Sequence, residues 1–130
     1  MKYQFPALLI KEDNGFIVKF IDFDDIFTQG QTITEAVENG EDVLNLMLCD
    51  KEENEFVIPK PSSLDTIDIP KDAFVLLIKA DTVRYRMMLD KKTVRKNVSV
   101  PSWLNQLALR QNLNFSYLLQ KALMKELNLF

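Results

Sequence analysis

The chain has 130 residues, 47% of them apolar, a formal net charge of −3 and a single cysteine. That composition belongs to a globular chain and excludes a disordered one, and a lone Cys49 excludes an internal disulfide and a cysteine-rich zinc site. Histidine is absent, which excludes imidazole acid–base catalysis, Ser-His and Cys-His nucleophile pairs and imidazole metal ligands.

The modest net charge hides a polarised chain. Residues 1–83 carry seven Lys/Arg against seventeen Asp/Glu, a net −10, whereas residues 84–130 carry nine against two, a net +7. An acidic module favours a basic protein and a basic module favours nucleic acid. The expected organisation is a first domain over 1–83, a short helix and linker over 84–92, and a second domain over 93–130. No apolar run reaches the ~20 residues of a membrane span, and the N-terminus lacks a signal-peptide cleavage pattern. A cytoplasmic protein without membrane association or cofactor is expected.

In chain order, "YQFPALLI" at 3–10 reads as a strand, which Pro6 places at a sheet edge. Asn14-Gly15 is a hairpin turn, and "FIVKFIDF" at 16–23 returns with Phe16, Val18 and Phe20 on one face. A third short strand falls at 26–30. Thr32 and Glu35 form a capping box, and the apolar spacing behind them predicts a helix over about 33–49, with Gly40 a weak point inside it. Residues 58–70 hold three prolines and read as loop. "AFVLLIKA" at 73–80 reads as a central strand, and Asp81 or Thr82 caps a short helix reaching Leu89. Cys49 falls late in the long helix and reads as a small buried apolar residue. The order β-β-β-α-β suits a two-layer α+β unit.

The basic end follows a different plan. In "VRKNVSVPSW" (94–103), Val98 and Val100 share one strand face, and Arg95, Asn97 and Ser99 the other. Pro101 suits the first turn of a helix whose apolar stripe is Trp103, Leu104, Leu107 and Ala108. Asn112 sits where a left-handed terminator is wanted, and Asn114 is the N-cap of a second helix bearing Leu118, Leu119 and Leu123. A strand–helix–helix unit of fewer than 40 residues buries too little to fold alone. The economical solution is a homodimer in which two such strands pair antiparallel, with Val98, Val100, Trp103, Leu104, Leu107, Leu118, Leu119 and Leu123 as its core.

This C-terminal pattern resembles the ribbon-helix-helix family: an apolar residue before proline (Val100-Pro101), then a turn with polar caps (Asn112-Leu113-Asn114-Phe115-Ser116). The resemblance implies that Arg95, Asn97 and Ser99 enter the DNA major groove as a two-stranded ribbon. The major groove admits such a ribbon, and arginine and asparagine pair bidentately with guanine and adenine. The start of the second helix (Asn114, Phe115, Ser116) suits a phosphate, and Lys91, Lys92 and Lys96 add salt-sensitive attraction.

The N-terminal part resembles the HicB antitoxin family. The likeness rests on Phe5-Pro6, Asp13-Asn14-Gly15, Phe16 to Phe20, Phe27-Thr28-Gln29-Gly30, Thr32 to Val37, and Ile58-Pro59-Lys60-Pro61. Ile21-Asp22-Phe23-Asp24-Asp25 departs from the Pro-Asp-apolar-Pro-Gly turn usual in that family. The resemblance implies a degenerate RNase H-like fold and a basic, mRNA-cleaving HicA-type toxin as partner, bound by the N-terminal domain. It also implies operator DNA bound by a homodimer, with a higher oligomer once toxin joins. Asp22, Asp24, Asp25, Glu35, Glu38 and Glu41 are the candidate toxin contacts, and no residue is assigned to catalysis or metal binding. Two other readings use the same residues. One is a stand-alone ribbon-helix-helix repressor with a sensory or oligomerising N-terminal domain. The other is a nuclease holding Mg²⁺ on Asp22, Asp24 and Asp25.

Overall fold

A computed structural model describes residues 1–129. It divides into two compact units, residues 1–92 and the chain from Thr93 onward.

The first unit is a four-stranded antiparallel sheet with one long helix on one face. Its strands are β1 (Lys2–Glu12), β2 (Gly15–Phe20), β3 (Phe27–Gly30) and β4 (Ala73–Asp81), in the order β3-β2-β1-β4. The helix α1 runs Ile33–Glu53, and a second helix α2 runs Thr82–Leu89. Alternation along the strands drives the layering. Phe5, Ala7 and Leu9 of β1, Val18 and Phe20 of β2, and Ile78 and Ala80 of β4 all face α1 and are buried against its Ala36, Leu44 and Leu48.

Two strand positions differ from the sequence expectation. β1 lies inside the sheet and β4 at its edge, although Pro6 favoured the reverse. The missing Pro6 N–H falls where β2 has already ended. The last β1–β2 pair is Ala7 with Phe20, and one step further Ile21 N donates to Pro6 O at 3.3 Å. Proline thus costs the ladder a single donor at its end, and an interior strand tolerates it. β3 begins one residue later than expected, and α1 continues four residues beyond Cys49.

Two glycines set the close approaches. A Cβ on Gly30 would lie 2.3 Å from the backbone N of Ala36, so the Thr-Gln-Gly element must end in glycine for the strand to pass beneath the first turn of α1. Gly30→Ala is expected to cost at least about 1–3 kcal/mol through overpacking, read as a lower urea midpoint with unchanged slope. At Gly40 a Cβ would approach the Ile78 side chain to 2.9 Å. Gly40 therefore lets an unbroken helix settle on the sheet, at some cost in helix propensity.

Thr32 caps α1 as expected, Glu35 N donating to Thr32 Oγ1 at 3.1 Å, but among the described residues the return bond from Thr32 N to the Glu35 side chain that would complete a capping box is absent. Asp81 Oδ1 caps α2 by accepting from Arg84 N at 3.2 Å. The proline-bearing segment 58–70 contains only a single 3₁₀ turn, Leu64–Thr66.

The second unit contains α3 (Ser102–Arg110) and α4 (Phe115–Glu126). Asn112 takes φ +53, the left-handed conformation expected of it, and Leu113 N returns to Ala108 O at 3.2 Å to close α3. Asn114 Oδ1 accepts from Tyr117 N at 3.0 Å and caps α4. Residues 90–101 form neither helix nor ladder.

Candidate functional site

Three groups of residues carry the chemistry of this chain. The first is the C-terminal unit. Arg95, Asn97 and Ser99 are all exposed, as are Lys91, Lys92, Lys96, Asn114, Phe115 and Ser116. At the start of α4 the Asn114 side chain already satisfies Tyr117 N, and Leu118 N bonds to Asn114 O at 3.1 Å. The amides of Phe115 and Ser116 point out of the helix with its positive end behind them, a geometry suited to an anion.

The same unit has almost no interior. Ala108 alone is buried there among the described residues. Val98, Trp103, Leu107 and Leu123 are 64%, 65%, 49% and 52% exposed, and Val100, Leu104, Leu118 and Leu119 are also exposed. These are the residues expected to form a dimer core, and in the single chain they face solvent. So large an apolar display on so small a unit marks an association surface.

The second group is acidic. Asp24 and Asp25 stand exposed in the turn between β2 and β3, and Glu35, Glu38 and Glu41 are exposed on α1. Asp22 is different. Its carboxylate accepts from Ser62 N at 3.0 Å and from Ser62 Oγ, fastening the 58–70 segment to the sheet. Beside it Phe23 is buried and packs edge-on against Phe5 with ring centroids 4.8 Å apart. The divergent turn is therefore anchored by Phe23 and by Asp22. Among the described residues no three His, Cys, Asp or Glu side chains converge in a way that could hold a metal ion, and Asp22, Asp24 and Asp25 form no such cluster.

The third group gave no sequence signal. Glu52, near the end of α1, accepts from Tyr3 Oη at 2.7 Å, from Thr82 Oγ1 at 3.0 Å and from Arg86 Nη1 at 2.8 Å. Arg86 also donates to Cys49 O at 3.1 Å, and Tyr85 Oη donates to Asp42 Oδ1 at 3.2 Å. These bonds clamp α2 to α1. Burial pushes the Glu52 carboxyl up, but the hydrogen bonds from Tyr3, Arg86 and Thr82 outweigh it and leave Glu52 below its ordinary value. Burial and the Glu52 carboxylate push Tyr3 up from 10.0 to about 12. Burial also raises the Cys49 thiol, which fits a buried, unreactive residue.

The sign of each shift fixes a pH dependence. The lowered Glu52 contributes stability above its unfolded value that is lost as the pH falls through its folded value. The raised Tyr3 contributes stability below about 10 that is lost as the pH rises towards about 12. Tyr3→Phe is expected to shrink both the alkaline and the acid limb, the remaining alkaline limb coming from Tyr85, which burial and Asp42 also raise, read as thermal midpoints across pH 3–11.

Residues 5–121 match the family described as "HicB_like antitoxin of bacterial toxin-antitoxin system". The chain belongs to this family. As a HicB-like chain it is 36% identical over 56 residues to Antitoxin HicB of Escherichia coli K12, an alignment covering 43% of this chain and 41% of that protein. The match thus spans about two fifths of the length of that relative. In fold it is similar to a chain of the toxin-antitoxin complex from Streptococcus pneumoniae, with a TM-score of 0.63 at 24% identity over 97% of this chain and 99% of that one. It is also similar to a chain of the HicA3 and HicB3 toxin-antitoxin complex, with a TM-score of 0.51 at 22% identity over 61% and 99%. The HicB-like match crosses from the first unit into α4, so the C-terminal helices are part of what the family shares. Among the described residues no helix is long and apolar enough to cross a membrane.

Proposed function

We propose that this HicB-like chain neutralises a basic, mRNA-cleaving HicA-type toxin through its first 83 residues, a degenerate RNase H-like domain. We further propose that it represses its own operon by binding operator DNA through residues 93–130 as a ribbon-helix-helix homodimer. The observation that carries the reading is the C-terminal unit: two well-capped helices whose apolar faces are exposed, behind a segment whose alternate residues are Arg95, Asn97 and Ser99. Pairing two such segments antiparallel would bury Val98 and Val100 of both copies and present the polar triplet twice about a two-fold axis. Lys91, Lys92 and Lys96 would meet the phosphate backbone beside it.

The acidic first unit supplies the complementary field for a basic toxin, which speeds and orients docking. Asp24, Asp25, Glu35, Glu38 and Glu41 are the contacts available to the toxin. Asp22 would act indirectly, by holding the 58–70 segment through Ser62.

The test is co-expression with the product of the neighbouring reading frame, where that is a small basic protein, scored for growth rescue, together with a gel shift on the operon's own promoter at rising salt. Rescue by residues 1–92 alone and a shift that weakens steeply with salt support the reading. DNA binding without rescue would make the chain a stand-alone repressor, and rescue by residues 93–130 alone would reverse the division of labour.

A further inference from the structure

The first unit has two sheet edges, and the fold treats them differently. β3 spans four residues, runs between an acidic turn and Gly30, and is too short to template a partner. β4 spans nine residues, with neither proline nor bulge, and Lys79 is the sole charge within it before its closing Asp81. Bonds from Lys11 N to Asp72 O and from Thr82 N to Met1 O show that the even-numbered residues of this segment pair with β1. The N–H and C=O groups of Val75, Leu77 and Lys79 therefore point away from the sheet. The edge is closed off at both ends: Ala73 N bonds to Pro70 O at 3.2 Å and Asp81 N to Asn45 Oδ1 at 3.0 Å. Between these closures no backbone bond from another described residue reaches the edge. Phe74 and Leu77 beside it are 38% and 47% exposed, and an open groove of about 1080 Å³, lined in part by Leu77, Lys79, Arg84 and Met88, borders its end.

We propose that this edge pairs antiparallel with the β4 edge of a second copy of the chain, about a two-fold axis through Leu76. The sequence of the edge selects both the occupant and the register. A register centred on Leu77 would set Val75 opposite Lys79, and one centred on Ile78 would set Leu77 opposite Lys79. Centring on Leu76 sets Val75 opposite Leu77, Phe74 opposite Ile78 and Leu76 opposite itself, and only the small Ala73 faces Lys79. It also brings Lys71, just ahead of the strand, to the end where Asp81 of the second copy closes the edge. Apolar thus meets apolar and opposite charges meet at both ends, the pairing that stabilises a two-strand contact. A self-complementary patch of this kind closes as a dimer and does not propagate. This interface belongs to residues 1–92 and needs neither toxin nor DNA.

The experiment uses the full chain. In the proposed register the Leu76 pair is not hydrogen-bonded, with Cα atoms about 4.5 Å apart, inside the range a disulfide spans. Under mild oxidation Leu76→Cys is expected to give a covalent dimer at least about 10-fold faster than Leu46→Cys on the outer face of α1. Equal rates would overturn the proposal, and faster cross-linking of Leu77→Cys would overturn its register. Hydrogen exchange on the unaltered chain covers the case in which Leu76→Cys misfolds. The amides of Val75, Leu77 and Lys79 are expected to be protected, and exchange at the rate of free amides at every protein concentration would overturn the pairing. Protection that appears only when the neighbouring basic protein is added would assign the edge to that partner and overturn the second copy as occupant. Growth rescue reads the antitoxin function separately, so either idea can fail alone.

Discussion

Replacing Arg95 by alanine is expected to abolish the gel shift on promoter DNA at protein concentrations that saturate it for the parent chain, and to leave growth rescue intact. A bidentate contact to a base is worth about 1–3 kcal/mol, and a two-fold dimer makes each contact twice. The expected loss is therefore on the order of 10²-fold or more in affinity. Asn97→Ala follows the same course, with its largest effect at an A·T pair. Both side chains are exposed and make no bond to another described residue, so neither substitution is expected to disturb the fold, and circular dichroism should be unchanged. Retention of full sequence-specific affinity by both variants would remove the ribbon from the DNA-binding surface.

Leu44→Ala is expected to produce a large loss of stability in the first unit. Leu44 is fully buried in the middle of α1, within the cluster formed with Phe5, Leu9, Val18, Phe20 and Ile78. Truncating a buried leucine costs about 2–5 kcal/mol, a large share of the roughly 5–15 kcal/mol that holds a domain together. For a unit of this size the melting temperature should fall by about 10 °C or more. Scanning calorimetry reads it, and growth rescue at elevated temperature should fail before it does at low temperature. An exposed substitution on the same helix, Glu38→Ala, should leave the midpoint within about 0.5 kcal/mol of the parent.

Much of this architecture is legible along the sequence, because local rules govern it. The hairpin after β1, the Thr32 cap and the caps at Asn112 and Asn114 each depend on a few neighbouring residues and form close to where those residues stand, although the turn itself falls on Asp13-Asn14, with Gly15 opening β2 opposite Glu12. Strand order was not legible in the same way. Pro6 argued for an edge, yet whether a missing donor matters depends on where the neighbouring strand stops, and that is set by the turn after Phe20. β4 reads as central because it is apolar on both faces, but nothing in its own residues says that no strand lies beyond it. The Glu52 clamp was invisible for a related reason. Glu52 bonds Tyr3, Thr82 and Arg86 across 30 to 49 positions, and no periodicity links them. The candidate base-reading residues come from alternation over a few residues, whereas the toxin-facing acids come only from bulk charge. Asp22 shows the weakness of that second signal, since its carboxylate serves Ser62.

On the proposed reading, the scarcity of buried side chains in the C-terminal unit makes its folding a matter of mass action. With Ala108 its one enclosed residue among those described, the helix pair would gain a core by association, and its stability would scale with the logarithm of chain concentration. The first unit has its own core and keeps its fold on dilution, even where its proposed β4 pairing comes apart. On the proposed reading, a cell in which this protein becomes scarce loses repression first, while each surviving chain can still hold a toxin. The operon would reopen before the toxin is freed, so the level of the protein would be corrected at its own promoter.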